Sequence, residues 1–191
     1  MSCSSVALAT HFCSHYVLIM DPAPTPFDSD APFGDRRAII RRNPDDMQEL
    51  EMVEATWGSD PRFADGASFQ FVRSEGRQFP DRRCLVPASE FHMTVGAKRY
   101  RVTLDGGNFF YLAAIWAPPI ADWPLSYRIV TVAANPEVMH YQQRHGAIIQ
   151  RREVMQWLDH RVPEPAMLRT PPARTFLVEE IAPPVRQPAF A

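Results

Sequence analysis

Apolar residues in the second half of the chain fall into short runs with the two patterns expected of β-strands, alternating or near-continuous. Cys84-Leu85-Val86-Pro87 is one run, and Tyr100-Arg101-Val102-Thr103-Leu104 alternates as a half-buried strand does. Phe109 to Trp116 and Tyr127 to Ala133 are apolar almost throughout, which predicts central strands covered on both faces. Asp105-Gly106-Gly107-Asn108 carries a hairpin-turn signature. Earlier in the chain, Tyr16-Val17-Leu18-Ile19 and Arg37-Ala38-Ile39-Ile40-Arg41 have strand character. Asn43-Pro44-Asp45-Asp46 predicts a helix start, with proline in the first turn and acids near the positive helix end. Met47, Leu50, Met52 and Val53 fit a helical stripe only in part, and a strand running into Trp57-Gly58 is the alternative. Residues 58 to 82 read as polar and irregular. Arg151 to Leu158 predicts a helix with Val154, Trp157 and Leu158 on one face. Strands outnumber helices and do not alternate with them. The expected class is α+β: a compact single domain with a curved, mainly antiparallel sheet, a barrel-like core and a few helices.

A length of 191 residues suits one such domain and buries enough surface to need no disulfide or metal to hold a core. No apolar run approaches the roughly 20 residues that cross a bilayer. The first residues also lack the basic flank and apolar run of a secretory signal, so the expectation is a cytoplasmic protein without a membrane partner. Twenty basic against 22 acidic residues give a net charge of −2, which removes the argument for nucleic acid from bulk charge and leaves open a local basic face. Lys98 is the only lysine. Arginine's planar fork suits phosphate, although a GC-rich genome produces the same bias. Nineteen prolines against eight glycines concentrate in Asp21–Phe33 and in the tail from Pro163, both expected to be extended or irregular.

The three cysteines, Cys3, Cys13 and Cys84, form no CxxC pair, so no disulfide framework, paired zinc site or cofactor is expected. Cys84, between Arg83 and Leu85, reads as core. One rival set stands near the start: Cys3, His11, Cys13 and His15 offer sulfur and nitrogen ligands, with the last three on one face of a strand. Its spacing matches no common zinc finger.

Several stretches resemble one family in the same order. Arg82-Arg83-Cys84-Leu85-Val86-Pro87-Ala88 is similar to the RRCLVPA segment of the SOS response-associated peptidase (SRAP) family. Ile129-Val130-Thr131, Ala134-Asn135-Pro136, Arg144 and Ala147-Ile148-Ile149 resemble that family's stretch from "T..AN" to "HDRMPVIL", and Trp157-Leu158 falls at its WL helix. Cys13-Ser14-His15-Tyr16 resembles its opening CGRF/CGRY, Trp57-Gly58 its WG, and Arg73-x-Glu75 the R-x-E of its NARAET motif. The resemblance implies a leader over residues 1–12 and a domain over 13–191. It also implies a groove for single-stranded or junction DNA carrying abasic sites. In that chemistry an N-terminal cysteine joins the lesion's aldehyde through its α-amine and its thiol, giving a thiazolidine cross-link. The implied nucleophile is Cys13, once the twelve preceding residues are removed. The implied DNA-binding residues are Trp57, Arg73, Arg82, Arg83 and Arg144.

The family's Asn, Glu and His, which orient the amine and move protons, correspond here to Phe71, Met93 and Gln142. Glu90, His140 and His145 stand nearby as candidate substitutes. Each has a plainer reading: a small buried hydrophobe for Cys13, a packed aromatic for Trp57, ion pairs with Glu75 or Asp81 for the arginines, and satisfied histidines. Two functions remain in view. One is a DNA-damage protein that binds single strands and cross-links through Cys13. The other is a catalytically silent interaction module, in a phage or mobile-element setting. No Ser-His-Asp set or ordered Cys-His pair supports peptidase action on other proteins.

Overall fold

The computed structural model describes residues 25–60, 62, 70–107 and 109–182. The expected strand at Tyr16–Ile19, the leader boundary at Cys13 and the Cys3/His11/Cys13/His15 set lie outside these residues. The strands among the described residues form two sheets. The smaller has the order β1 (Phe27–Asp28), β6 (Phe91–Val95), β7 (Lys98–Leu104), β12 (Phe176–Ile181). The larger runs β10 (Arg144–Gly146), β9 (Ser126–Ala133), β3 (Leu50–Trp57), β2 (Arg36–Arg42), β5 (Arg83–Ala88), β8 (Phe110–Ala117), β11 (Ile148–Ile149), with β4 (Phe71–Arg73) also paired to β9. This sheet curls until β8 pairs with β9 as well, Ala114 opposite Ile129 and Ala117 opposite Ser126. Most pairings are antiparallel; β1–β6, β3–β9 and β4–β9 are parallel. Among the described residues there are also three short α-helices, α1 (Pro136–Met139), α2 (Val154–Leu158) and α3 (Glu164–Met167).

The near-continuous apolar runs are explained by cover on both faces. Alternate residues of one strand enter different clusters: Ile39, Cys84, Val86, Leu112 and Ile129 pack with Phe91, Val102 and Phe176 of the smaller sheet. Their neighbours Ile40, Leu85, Ala113 and Val130 pack with Val154, Trp157, Leu158 and Met167 of the helical side. With a side-chain period of two, a strand buried on both faces has no polar position to spare. Trp157 anchors the second cluster: it is fully buried, and its indole N–H donates to the Cys84 carbonyl at 3.0 Å.

Three local expectations change. The Asn43–Asp46 signal serves a turn and not a helix: the Asn43 side chain accepts from Asp45 N–H at 2.9 Å and Asp46 from Gln48 N–H at 3.0 Å, closing the β2–β3 connection. Asx side chains cap turns as readily as helices. Asp105–Gly107 turns the chain, with Asn108 outside the described residues, but β7 and β8 belong to different sheets; the hairpin lies at Gly96 (φ +63°), between β6 and β7. The tail is not irregular throughout, because its prolines leave residues 173–182 clear, and β12 forms there and pairs along β7 from Phe176↔Leu104 to Ile181↔Arg99. Within the stretch expected to be irregular, Phe71–Arg73 is a strand.

Trp157→Ala is expected to lower unfolding free energy by about 3–5 kcal/mol, as for other fully buried tryptophans. Guanidinium denaturation measures it, and a loss under about 1 kcal/mol would show that the helical side does not depend on this ring.

Candidate nucleic-acid interface

β9 has different partners along its length. Its first half pairs with β8 and β3, its second half with β10 and β4. Around this change of partners lies a cavity of about 610 Å³. Its walls are apolar at Phe27, Phe71, Val72, Phe91 and Leu112, and polar at Ser29, Thr131 and Gln142. Four arginines line it: Arg73 on β4, Arg77 after the turn at Gly76 (φ +68°), Arg128 on β9 and Arg144 on β10. Asp30 is the only carboxylate among its described lining residues.

Arg144 is fixed from both sides. Its Nε donates to Thr131 Oγ1 at 3.1 Å and its Nη2 to the Thr131 carbonyl at 2.7 Å, while its fork meets Glu75 bidentately at 2.9 and 2.8 Å. Arg144 is the main reason the Glu75 carboxyl titrates below its ordinary value. Arg73, Arg77 and Arg128 have no ion pair with a carboxylate of a described residue. Burial, and then the like charge of Arg77, pull Arg128 below the usual arginine value. Exposed Arg77 and partly buried Arg128 thus bring like charge together at the cavity.

The other expected site residues are placed as follows. Arg83 is buried and forms a structural clamp: it donates to the Phe79 carbonyl at 2.8 Å, the Trp157 carbonyl at 3.0 Å and Glu164 at 2.6 Å, and lies 4.5 Å from the Trp157 ring centroid. Arg82 is exposed, in the left-handed region at φ +54°, and does not line the cavity. Trp57, a DNA-binding residue in the family resemblance, is buried, in line with its plainer reading as a packed aromatic, with its N–H on the Gln70 carbonyl at 3.3 Å. Phe71, partly exposed, is the aromatic that reaches the cavity edge, and Trp57 packs edge-on against it at 5.5 Å. Glu90 is tied to His92 Nε2 at 2.6 Å, away from the lining, and His140 is exposed after α1 and also outside it.

His145 lines the cavity but is 3% exposed, stacked on Phe91 at 5.9 Å. Its Nδ1–H donates to the Gly146 carbonyl at 2.7 Å; burial pushes its pKa below the ordinary histidine value, and Nε2 is enclosed without a partner among the described residues. A neutral, enclosed imidazole is poorly placed to shuttle a proton to a cavity occupant. Met93 is in the core, and Gln142 faces the cavity. Cys84 is fully buried, and burial drives its thiol far above the ordinary value, so it is not a nucleophile. Cys13 lies outside the described residues. Among the described residues no three His, Cys, Asp or Glu side chains gather as a metal site, and no helix is long and apolar enough to cross a membrane.

Sequence reasoning missed Arg77 and Arg128. The signal for Arg128 was available: it is the one charge in the apolar run Tyr127–Ala133, and a charge in a central strand needs an outlet. The Ala-Asn-Pro stretch has a structural role: Asn135 is buried and caps α1, accepting from Val138 N–H at 3.2 Å.

Comparison with known proteins agrees with this architecture. The family model described as SOS response associated peptidase (SRAP) matches residues 29–188. A protein from Bordetella bronchiseptica has a similar fold, with 20% identity, TM-score 0.61, and coverage of 85% of this chain and 92% of that one. One from Bacteroides thetaiotaomicron is 17% identical with TM-score 0.58 over 78% and 74%. A phage-related protein from Bordetella bronchiseptica is 21% identical with TM-score 0.57 over 82% and 81%. A search of curated proteins returned no match.

Glu164→Gln tests the clamp role of Arg83. The Phe79 N–H, then Glu164's own backbone N–H and after it Arg83, hold the Glu164 carboxyl below its ordinary value, while burial pulls Arg83 down in spite of the pairing. A depressed carboxyl contributes stability that is whole above the unfolded value of about 4.3 and is lost as pH falls through the folded one. The variant is expected to lose about 3 kcal/mol at neutral pH. Urea midpoints for the two proteins should converge below the folded-state pKa of Glu164; a constant gap would disprove the linkage.

Proposed function

We propose that this chain, which belongs to the SOS response associated peptidase (SRAP) family, binds single-stranded DNA through the arginine-lined cavity. The observation that carries this reading is the convergence of Arg73, Arg77, Arg128 and Arg144 on one cavity, in a protein of net charge −2. Like charges repel unless an anion joins them, and a phosphodiester backbone supplies anions at regular spacing. Guanidinium forks hold phosphate oxygens in pairs. The apolar walls between the arginines suit an unpaired strand, whose bases are free to leave water, better than a duplex whose bases are already stacked.

The binding is non-covalent in this reading. Abasic-site cross-linking through Cys13 requires a free Cys13 amine and side chains that move protons. Among the described lining residues the accessible titratable groups are arginines and Asp30; Phe71 and Gln142 occupy two of the three positions that carry the family's proton-transfer set, and Met93 occupies the third within the core. General acid–base groups are each worth roughly 10²–10⁴ in rate, so their replacement leaves binding as the better-supported activity.

Two measurements test this. Fluorescence anisotropy with a labelled single strand should show affinity falling steeply with salt. Arg77→Ala and Arg128→Ala should each weaken binding for all sequences and reduce the log–log salt slope by about 0.7. Unchanged affinity in both variants would remove the cavity as the DNA site and leave the interaction-module reading. Intact-mass spectrometry after incubation with an abasic strand should show no adduct. A heat-stable adduct lost in Cys13→Ala would overturn the non-covalent reading.

A further inference from the structure

β4 presents its three residues alternately. Val72 packs in the helical-side core, while Phe71 and Arg73 share the other face of the strand. Two residues along a strand span about 6.4–6.8 Å, so an aromatic ring and a guanidinium stand side by side at the cavity edge. Both are held in place. β4 is paired to β9, Phe71 opposite Ile129 and Arg73 opposite Thr131. The Phe71 ring is braced by buried Trp57, edge-on at 89°, whose own N–H is tied to the Gln70 carbonyl just before the strand. Phe71 packs against the core on one side and stays partly exposed at the cavity, which four arginines also line.

We propose that Phe71 is a stacking platform for one intact base of the bound strand, with Arg73 taking an adjacent phosphate, so that the cavity selects a base-bearing nucleotide over a bare sugar. The inference rests on the DNA-binding reading above. A partly exposed ring, packed on one side against the core and standing beside a cation, matches the two parts of a nucleotide, a flat apolar base and an anionic phosphate. The cavity, about 610 Å³, falls within the range of about 300–1,000 Å³ that holds small ligands, and Phe27, Phe91 and Leu112 extend its apolar wall. Every base has a π-face, so recognition of this kind tolerates sequence but not the loss of the base.

The test uses the full chain and two short strands of tetrahydrofuran spacers, one entirely of spacers and one with a single central deoxyadenosine. The unaltered protein should bind the base-bearing strand roughly tenfold more tightly. Phe71→Ala should abolish that ratio, and Phe71→Trp should retain it. Arg73→Ala should weaken binding to both strands. Equal affinity of the unaltered protein for the two strands overturns the proposal without recourse to any variant, and so does a preference that survives Phe71→Ala. Failure of both strands to bind, in a salt-independent way, would instead overturn the DNA-binding reading itself.

Discussion

β9 is shared by four strands, two along each half, and both the fold and the cavity depend on that sharing. A strand has only two edges, so a change of neighbours halfway along forces the sheet to part there. β8 gives way to β10 on one edge and β3 to β4 on the other. Ala147 bridges the parting: its N–H donates to the Val130 carbonyl at 2.8 Å and its carbonyl accepts from Ala113 N–H at 2.8 Å, so one residue is bonded to both β9 and β8. Gly146 allows the close approach, since a Cβ there would come within 2.8 Å of the Leu112 side chain. The curl that brings β8 to β9 and the gap that admits solvent beside Arg128 follow from one arrangement.

The arginines divide into two populations with opposite physics. Arg83 is taken out of water and satisfied by two backbone carbonyls and Glu164, joining β5 to the segments that carry α2 and α3. Removing a partner from such a group exposes the cost of a buried charge, so its role is to specify how those pieces dock. Arg73, Arg77 and Arg128 remain near water around one cavity, Arg77 close enough to Arg128 to act on it and Arg73 close enough to Glu75, with none of the three in an ion pair with a described carboxylate. Arg144 stands between the two: its geometry is set by Thr131, yet its partner Glu75 is on the exposed side of the pair. A neutral protein thus concentrates positive charge at one site while ion pairs such as Arg36–Glu54 and Lys98–Glu180 balance charge elsewhere on the surface.

Much of the strand content was legible because apolar runs bounded by turn residues have few other solutions. Arg36–Arg42, Arg83–Ala88, Phe110–Ala117 and Ser126–Ala133 all appear within a residue or so of where the pattern put them, and Val154, Trp157 and Leu158 share a buried face. The site was legible only in part. Arg73 and Arg144 stand at the cavity, whereas Arg83 and Trp57, with the same local appearance, are buried. Local pattern reports that a residue is charged or aromatic; it does not report which side of a strand faces an opening.

The sequence by itself determined the α+β class, the central strands and the short helix, because periodicity and turn chemistry act over a few residues. It also carried the family resemblance, which resides in ordered short motifs. The tertiary structure alone decided that the turn at Asp105–Gly107 leads from one sheet to the other, that the proline-flanked Phe176–Ile181 segment completes one of them, and that arginines 4 to 71 residues apart in sequence line one cavity. These depend on which strand edges remain free once others have paired, and on where β9 changes neighbours. That competition spans the whole chain, so no local stretch of residues encodes its outcome.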